Sequence, residues 1–91
     1  MKSLVIVDLT PKDKEKLMQY SALAAETLAP FNGQFIAKGA IEVLNGEAPY
    51  QTKAVIEFPD KESARGWYKS ESYQAIIALR EQGMESQFHL V

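Results

Sequence analysis

The sequence predicts an α+β fold in which four antiparallel strands form one sheet and two helices cover one side of it. Three observations carry this prediction. Apolar, β-branched or aromatic runs alternate with helical stretches in the order β-α-β-β-α-β. Turn formers fall between them: Pro30, Asn32-Gly33, Asn45-Gly46, Pro49, Pro59-Asp60 and Gly83. One parity of the strand residues is entirely apolar, as a sheet face beneath helices requires. This order and packing is the ferredoxin-like sandwich.

Leu4-Val5-Ile6-Val7 is an unbroken apolar run and opens the first strand. Thr10-Pro11 predicts its end, with Thr10 as N-cap and Pro11 in the first turn of a helix over residues 12–29. The inward stripe of that helix is Leu17, Tyr20, Ala24 and Leu28, and Lys12, Lys14, Lys16 and Glu26 lie on its wet side. Residues 34–44 form the second strand, with a bulge or close approach expected at Gly39. Residues 53–58 form the third. A helix capped by Asp60 follows, with Ala64, Trp67 and Tyr68 on one side and a break near Ser70-Glu71-Ser72. A further helical piece spans residues 72–82, Gly83 stops it, and residues 87–91 close the sheet.

The 91 residues suit one domain, 1–91, with no internal repeat or composition boundary. Composition is 46% apolar and 24% charged, with a net charge of −2, which argues against nucleic acid as a partner. The absence of Cys removes thiolate chemistry, and a single His leaves no conventional zinc set, so no metal and no cofactor are expected. No stretch has the length of a membrane span, and the amino-terminal run turns polar at Asp8, which predicts a cytoplasmic protein.

Strand parity then becomes informative. Val5, Val7, Leu9, Phe35, Ala37, Ala54, Ile56, Phe58, Phe88 and Leu90 are assigned to the helix side. The opposite face holds Leu4, Ile6, Ile36, Val55 and Val91 beside Asp8, Lys38, Glu57, Gln87 and His89. A face left to water is mostly polar, and this one is half aliphatic. Both helices are committed to the other side, so the predicted cover is a second copy of the sheet in a closed homodimer. Burying an aliphatic side chain contributes about 1.5–3 kcal/mol, a large gain for a thin core.

Val7-Asp8-Leu9-Thr10, Phe31-Asn32-Gly33-Gln34-Phe35-Ile36-Ala37-Lys38-Gly39 and Glu42-Val43-Leu44-Asn45-Gly46 together resemble domain-of-unknown-function family 1330. So does the run Val55-Ile56-Glu57-Phe58-Pro59-Asp60, Ala64, Trp67-Tyr68, Ser70, Tyr73-Gln74 and Arg80, although Glu71 stands where many relatives have proline. The resemblance covers nearly the whole chain. It implies a dimeric α/β barrel, a superfamily that includes cofactor-independent monooxygenases and muconolactone isomerases.

Two residue sets could carry chemistry. On the open face, Asp8, Lys38, Glu57 and His89 are ionisable groups on a surface expected to be enclosed, with His89 and Glu57 as proton acceptors. The competing reading is that they pair into interfacial ion pairs that set register. On the helix side, Tyr73, Ile76, Ile77 and Arg80 share one helix stripe, which places a cation among apolar residues. Arg80 there would hold a carboxylate or enolate, with Trp67, Tyr73 and Tyr20 against an aromatic body; alternatively it snorkels and the aromatics are core. Two functions follow. One is a small-molecule-binding protein working as a cofactor-independent, monooxygenase- or isomerase-like enzyme on a small aromatic or enolisable compound. The other is a non-catalytic dimeric accessory or stress-response module.

Overall fold

A computed structural model describes residues Met1–Val91. The elements are β1 (Ser3–Pro11), α1 (Lys14–Leu28), a 3-10 turn (Ala29–Phe31), β2 (Gln34–Ala40), β3 (Thr52–Phe58), α2 (Lys61–Lys69), α3 (Glu71–Gln74), α4 (Ile77–Gly83) and β4 (Met84–Leu90). The strands lie in the order β2-β3-β1-β4, and every neighbouring pair is antiparallel. This is the ferredoxin-like arrangement. The helices cover one face only, and the molecule is 16 Å thick in its shortest direction, the depth of one sheet and one helix layer.

The core lies between those layers. Val5, Val7 and Leu9 of β1 and Ala54, Ile56 and Phe58 of β3 meet Tyr20, Ala24 and Leu28 of α1 and Ala64 and Trp67 of α2. Phe58 and Tyr73 are fully buried, and Trp67 nearly so.

Several boundaries differ from the sequence expectation for identifiable reasons. Thr10 and Pro11 do not cap α1. They extend β1, pairing with Glu85 and Met84, and Asp13 caps the helix by accepting a bond from the Lys16 amide at 3.1 Å. β2 ends at Ala40 rather than Leu44, and β4 begins at Met84 rather than Gln87. The expected helix over 72–82 is two pieces, because Ile76 leaves helical geometry (φ −106°, ψ 4°) between α3 and α4. The break at Ser70 forms without the proline: Ser70 is extended, and its hydroxyl accepts from the Tyr73 amide to start α3. At Gly83 the reason is packing as well as chain reversal. A Cβ there would stand 2.8 Å from the Leu17 amide nitrogen, and the Gly83 carbonyl accepts from the Lys12 amide at 2.8 Å.

The bulge is at Ile36, not Gly39. Phe35 pairs with Ile56, but Ala37 pairs with Val55, so one extra residue is inserted and the parity of β2 reverses beyond it. Ala37 therefore moves to the open face, and Lys38, in register with Ala54, moves to the helix side, against the sequence assignment of both.

Candidate functional site

Three short helices deliver the site. Asp60 caps α2 by accepting from the Ser63 amide at 2.7 Å, which sets the helix phase so that Ala64, Trp67 and Tyr68 face the sheet. The extended Ser70 then turns the chain back, and Tyr73 of α3 arrives beneath Trp67 with ring centroids 4.3 Å apart. α4 brings Arg80 onto the same cluster, and Phe88 of β4 closes it from below.

Arg80 is the unusual member. It is 8% exposed, and its guanidinium carbon lies 4.8 Å from the centre of the Phe88 ring and 5.8 Å from that of Tyr68. Nη1 donates to the hydroxyls of Tyr68 and Tyr73, both at 3.1 Å, and Nη2 meets Glu81 Oε1 at 3.0 Å. Nε is buried and has no partner. Glu81 is a weak counter-charge, because its side chain is 59% exposed. Burial opposes the charge on Arg80, but the bonds to Tyr68, Tyr73 and Glu81 outweigh it and hold the guanidinium protonated.

The hydrogen bonds continue inward. The hydroxyls of Tyr73 and Tyr20 are 2.6 Å apart. Burial pushes both phenols above their ordinary value of 10, so neither is a base near neutral pH. Beside them the Trp67 indole donates to Thr27 Oγ1 at 2.9 Å, and that hydroxyl donates to the Ala24 carbonyl at 2.7 Å.

Two spaces adjoin this chain, with Phe88 in the wall of each. The outer one is a cleft of about 460 Å³ between α2 and β4, bordered by Arg65, Tyr68, Lys69, Arg80 and Phe88. Its lining contains no carboxylate, and neither Arg65 nor Lys69 forms an ion pair. The inner one is a cavity of about 120 Å³ between α1 and the sheet, lined by Tyr20, Ala24, Ile56, Trp67 and Phe88, with Phe35 and Lys38 on β2.

The structure thus brings Tyr20, Trp67, Tyr73 and Arg80 into one connected group and adds Lys38 at the inner cavity. It does not bring together His89 and Glu57. They flank β1 on opposite sides, His89 opposite Ile6 and Glu57 opposite Leu4, which separates the strands bearing them by about 10 Å. Glu57 is engaged by Lys2 at 3.2 Å and by Gln34 at 3.4 Å. Asp8 pairs with Lys53 at 2.8 Å and accepts from Gln87 at 3.1 Å. The Lys53 bond, more than the Gln87 bond, holds the Asp8 carboxyl below its ordinary range against the effect of burial.

Sequence reasoning missed Thr27, Phe88, Arg65 and Lys69. Thr27 follows Ala24 by three residues on the stripe of α1, and Phe88 has the helix-facing parity, so both carried a periodicity signal. Arg65 and Lys69 are four apart on α2, a spacing that places two cations side by side.

The family model described as Domain of unknown function (DUF1330) matches residues 2–91. No curated protein matches the chain. Among solved structures it is similar to a protein of unknown function from Rhodopseudomonas palustris, with TM-score 0.79 and 12% identity over 99% of this chain and 80% of that one. It is also similar to a dimeric ferredoxin-like protein of unknown function from Jannaschia sp. CCS1, with TM-score 0.73 and 16% identity over 100% of this chain and 98% of that one. A third similarity is to SnoaB, a cofactor-independent oxygenase from Streptomyces nogalater, with TM-score 0.72 and 11% identity over 99% and 90% of the two chains. At these identities the likeness is one of fold.

Proposed function

We propose, from the premise that the chain belongs to the DUF1330 family, that residues 1–91 act as one cytoplasmic unit binding a small organic anion with an aromatic or enolisable body. The observation that carries this reading is Arg80. A buried cation with an unused Nε donor and only an exposed carboxylate beside it opens on a cleft rich in cations and aromatic surface. A carboxylate or enolate displaces Glu81 and takes Nη2 and Nε together, while its body lies on Phe88 and Tyr68. The cofactor-independent enzyme reading needs a proton acceptor, and His89, whose register with Ile6 puts its side chain on the open sheet face, would serve the dimer interior and not the Arg80 cleft. SnoaB supports that step only as a distant relative in fold.

The functional unit in this reading is a homodimer through the open sheet face. Dimeric ferredoxin-like structures among the similar proteins support it, as do the exposed aliphatics Ile36 (49%) and Val91 (64%) on that face. The ion pairs Lys53–Asp8 and Lys2–Glu57 favour a register role for Asp8 and Glu57. They are also what a non-catalytic dimeric module would carry, and in that alternative Arg80 is only structural.

Thermal denaturation with benzoate separates the two. Specific binding at a hundred times Kd stabilises the native protein by about 2.7 kcal/mol. The expected result is a concentration-dependent rise in Tm that Arg80→Met, which keeps the apolar stem, loses. An equal rise in both proteins, or none in either, supports the structural alternative.

A further inference from the structure

Proton counting along the buried chain gives it a direction. A guanidinium has only donors, so Arg80 donates to the Tyr73 hydroxyl. The Tyr73 and Tyr20 hydroxyls, 2.6 Å apart, share one proton between them. If Tyr20 supplied it, the Tyr73 oxygen would receive two protons, and its own would be left with no acceptor inside a fully buried side chain. If Tyr73 supplies it, the Tyr73 hydroxyl is fully used, and the one hydroxyl proton of the pair left over is that of Tyr20. Tyr20 lines the inner cavity. The chain therefore runs from Arg80 to Tyr73 to Tyr20, and the free hydroxyl donor at its inner end belongs to a residue at an open space.

We infer that the inner cavity is a second binding site, for a small neutral carbonyl compound whose oxygen accepts the Tyr20 hydroxyl proton. Acceptor chemistry follows from the direction of the chain. A neutral guest fits because the inner wall is Val7, Leu9, Ala54 and Ile56, which offer a charge no solvation, while Lys38 on β2 is exposed and keeps its charge in water. Size follows from the volume of about 120 Å³, somewhat below the roughly 150 Å³ apolar cavity known to take benzene. The positive charge at the far end polarises both phenols and strengthens the terminal donor. If the bound compound enolises, that donor faces the oxygen on which charge develops. This site goes beyond the anion reading and does not require the outer cleft to be occupied.

The test compares cyclobutanone with methylenecyclobutane, which has nearly the same shape and no acceptor. Wild type is expected to bind the ketone about tenfold more tightly, the worth of one net hydrogen bond. The bound ketone's carbonyl carbon is expected downfield of its NMR position in cyclohexane, where it has no donor. Tyr20→Phe is expected to lose the ketone preference, because the carbonyl is then buried without a donor, and to retain wild-type affinity for the alkene. Equal affinities in wild type, no binding of either compound, or a ketone preference that survives in Tyr20→Phe would overturn the inference. Should Tyr20→Phe not fold, the wild-type affinity ratio and carbonyl shift decide alone. The benzoate response of Tyr20→Phe, expected unchanged, distinguishes failure here from failure of the anion reading.

Discussion

The two faces of the sheet are made by the same strands and have opposite fates. Ile56 and Val55 are neighbours on β3, yet Ile56 is buried at 2% exposure beneath the helices while Val55 is half-buried on a face that nothing in this chain covers. On the helix side the polar groups form a connected chain, Arg80–Tyr73–Tyr20 with Trp67–Thr27 beside it. On the open side they form separate pairs, Lys53–Asp8 and Lys2–Glu57, lying among aliphatics. The difference teaches that burial within one chain organises polar groups inward around a cavity, whereas the open face arranges them as contacts awaiting a complementary surface.

That contrast can be broken from either side. The largest effect is expected from Trp67→Ala, which empties the centre of the aromatic cluster and orphans Thr27 as a donor's partner. Denaturant unfolding should show a loss of about 3–5 kcal/mol that does not depend on protein concentration. A loss below about 1 kcal/mol would mean that the helix-side core is already loose. Next, Val55→Asp places a charge in the aliphatic part of the open face. Light scattering should change from dimer to monomer mass while the secondary structure signal is retained, and a variant that stays dimeric would remove this face from the interface.

The smallest effect concerns the open-face pairs and pH. Because Lys53 lowers the folded-state pKa of Asp8, its contribution is fully present above the ordinary value of about 3.8 and fades as pH falls through the depressed native value. Asp8→Asn should therefore cost under about 1 kcal/mol at neutral pH, since Lys53 is half exposed, and should flatten the acid limb of stability below about pH 4. An unchanged acid limb would show that Asp8 and Lys53 do not interact in solution.

Much of this arrangement was legible in the sequence, and the exceptions have physical causes. The period of two held along β1, β3 and β4, so Val5, Ile56 and Phe88 took their sides correctly. In β2 the inserted residue at Ile36 reverses parity, and nothing in Phe35-Ile36-Ala37 marks it; Gly39, where a bulge was expected, has open space around it. The start of α1 was assigned to Thr10, but pairing of Pro11 with Met84 keeps Thr10 and Pro11 in β1, and Asp13 caps the helix instead. Arg80 was visible because seven residues separate it from Tyr73 on one stripe. The Tyr20–Tyr73 contact was not, since those residues lie 53 apart in sequence and meet only when α1 and α3 pack. His89 and Glu57 shared a parity correctly, but parity says nothing of lateral distance, which the strand order sets.

In the proposed function the partnerless donor of Arg80 is reserved for an anion. The direct measurement is the Arg80 Nε–H resonance in the NMR spectrum during titration with benzoate. This proton is expected to move downfield and to exchange more slowly with water as the carboxylate takes Nε and Nη2. A resonance unmoved at benzoate concentrations that saturate any thermal response would contradict it.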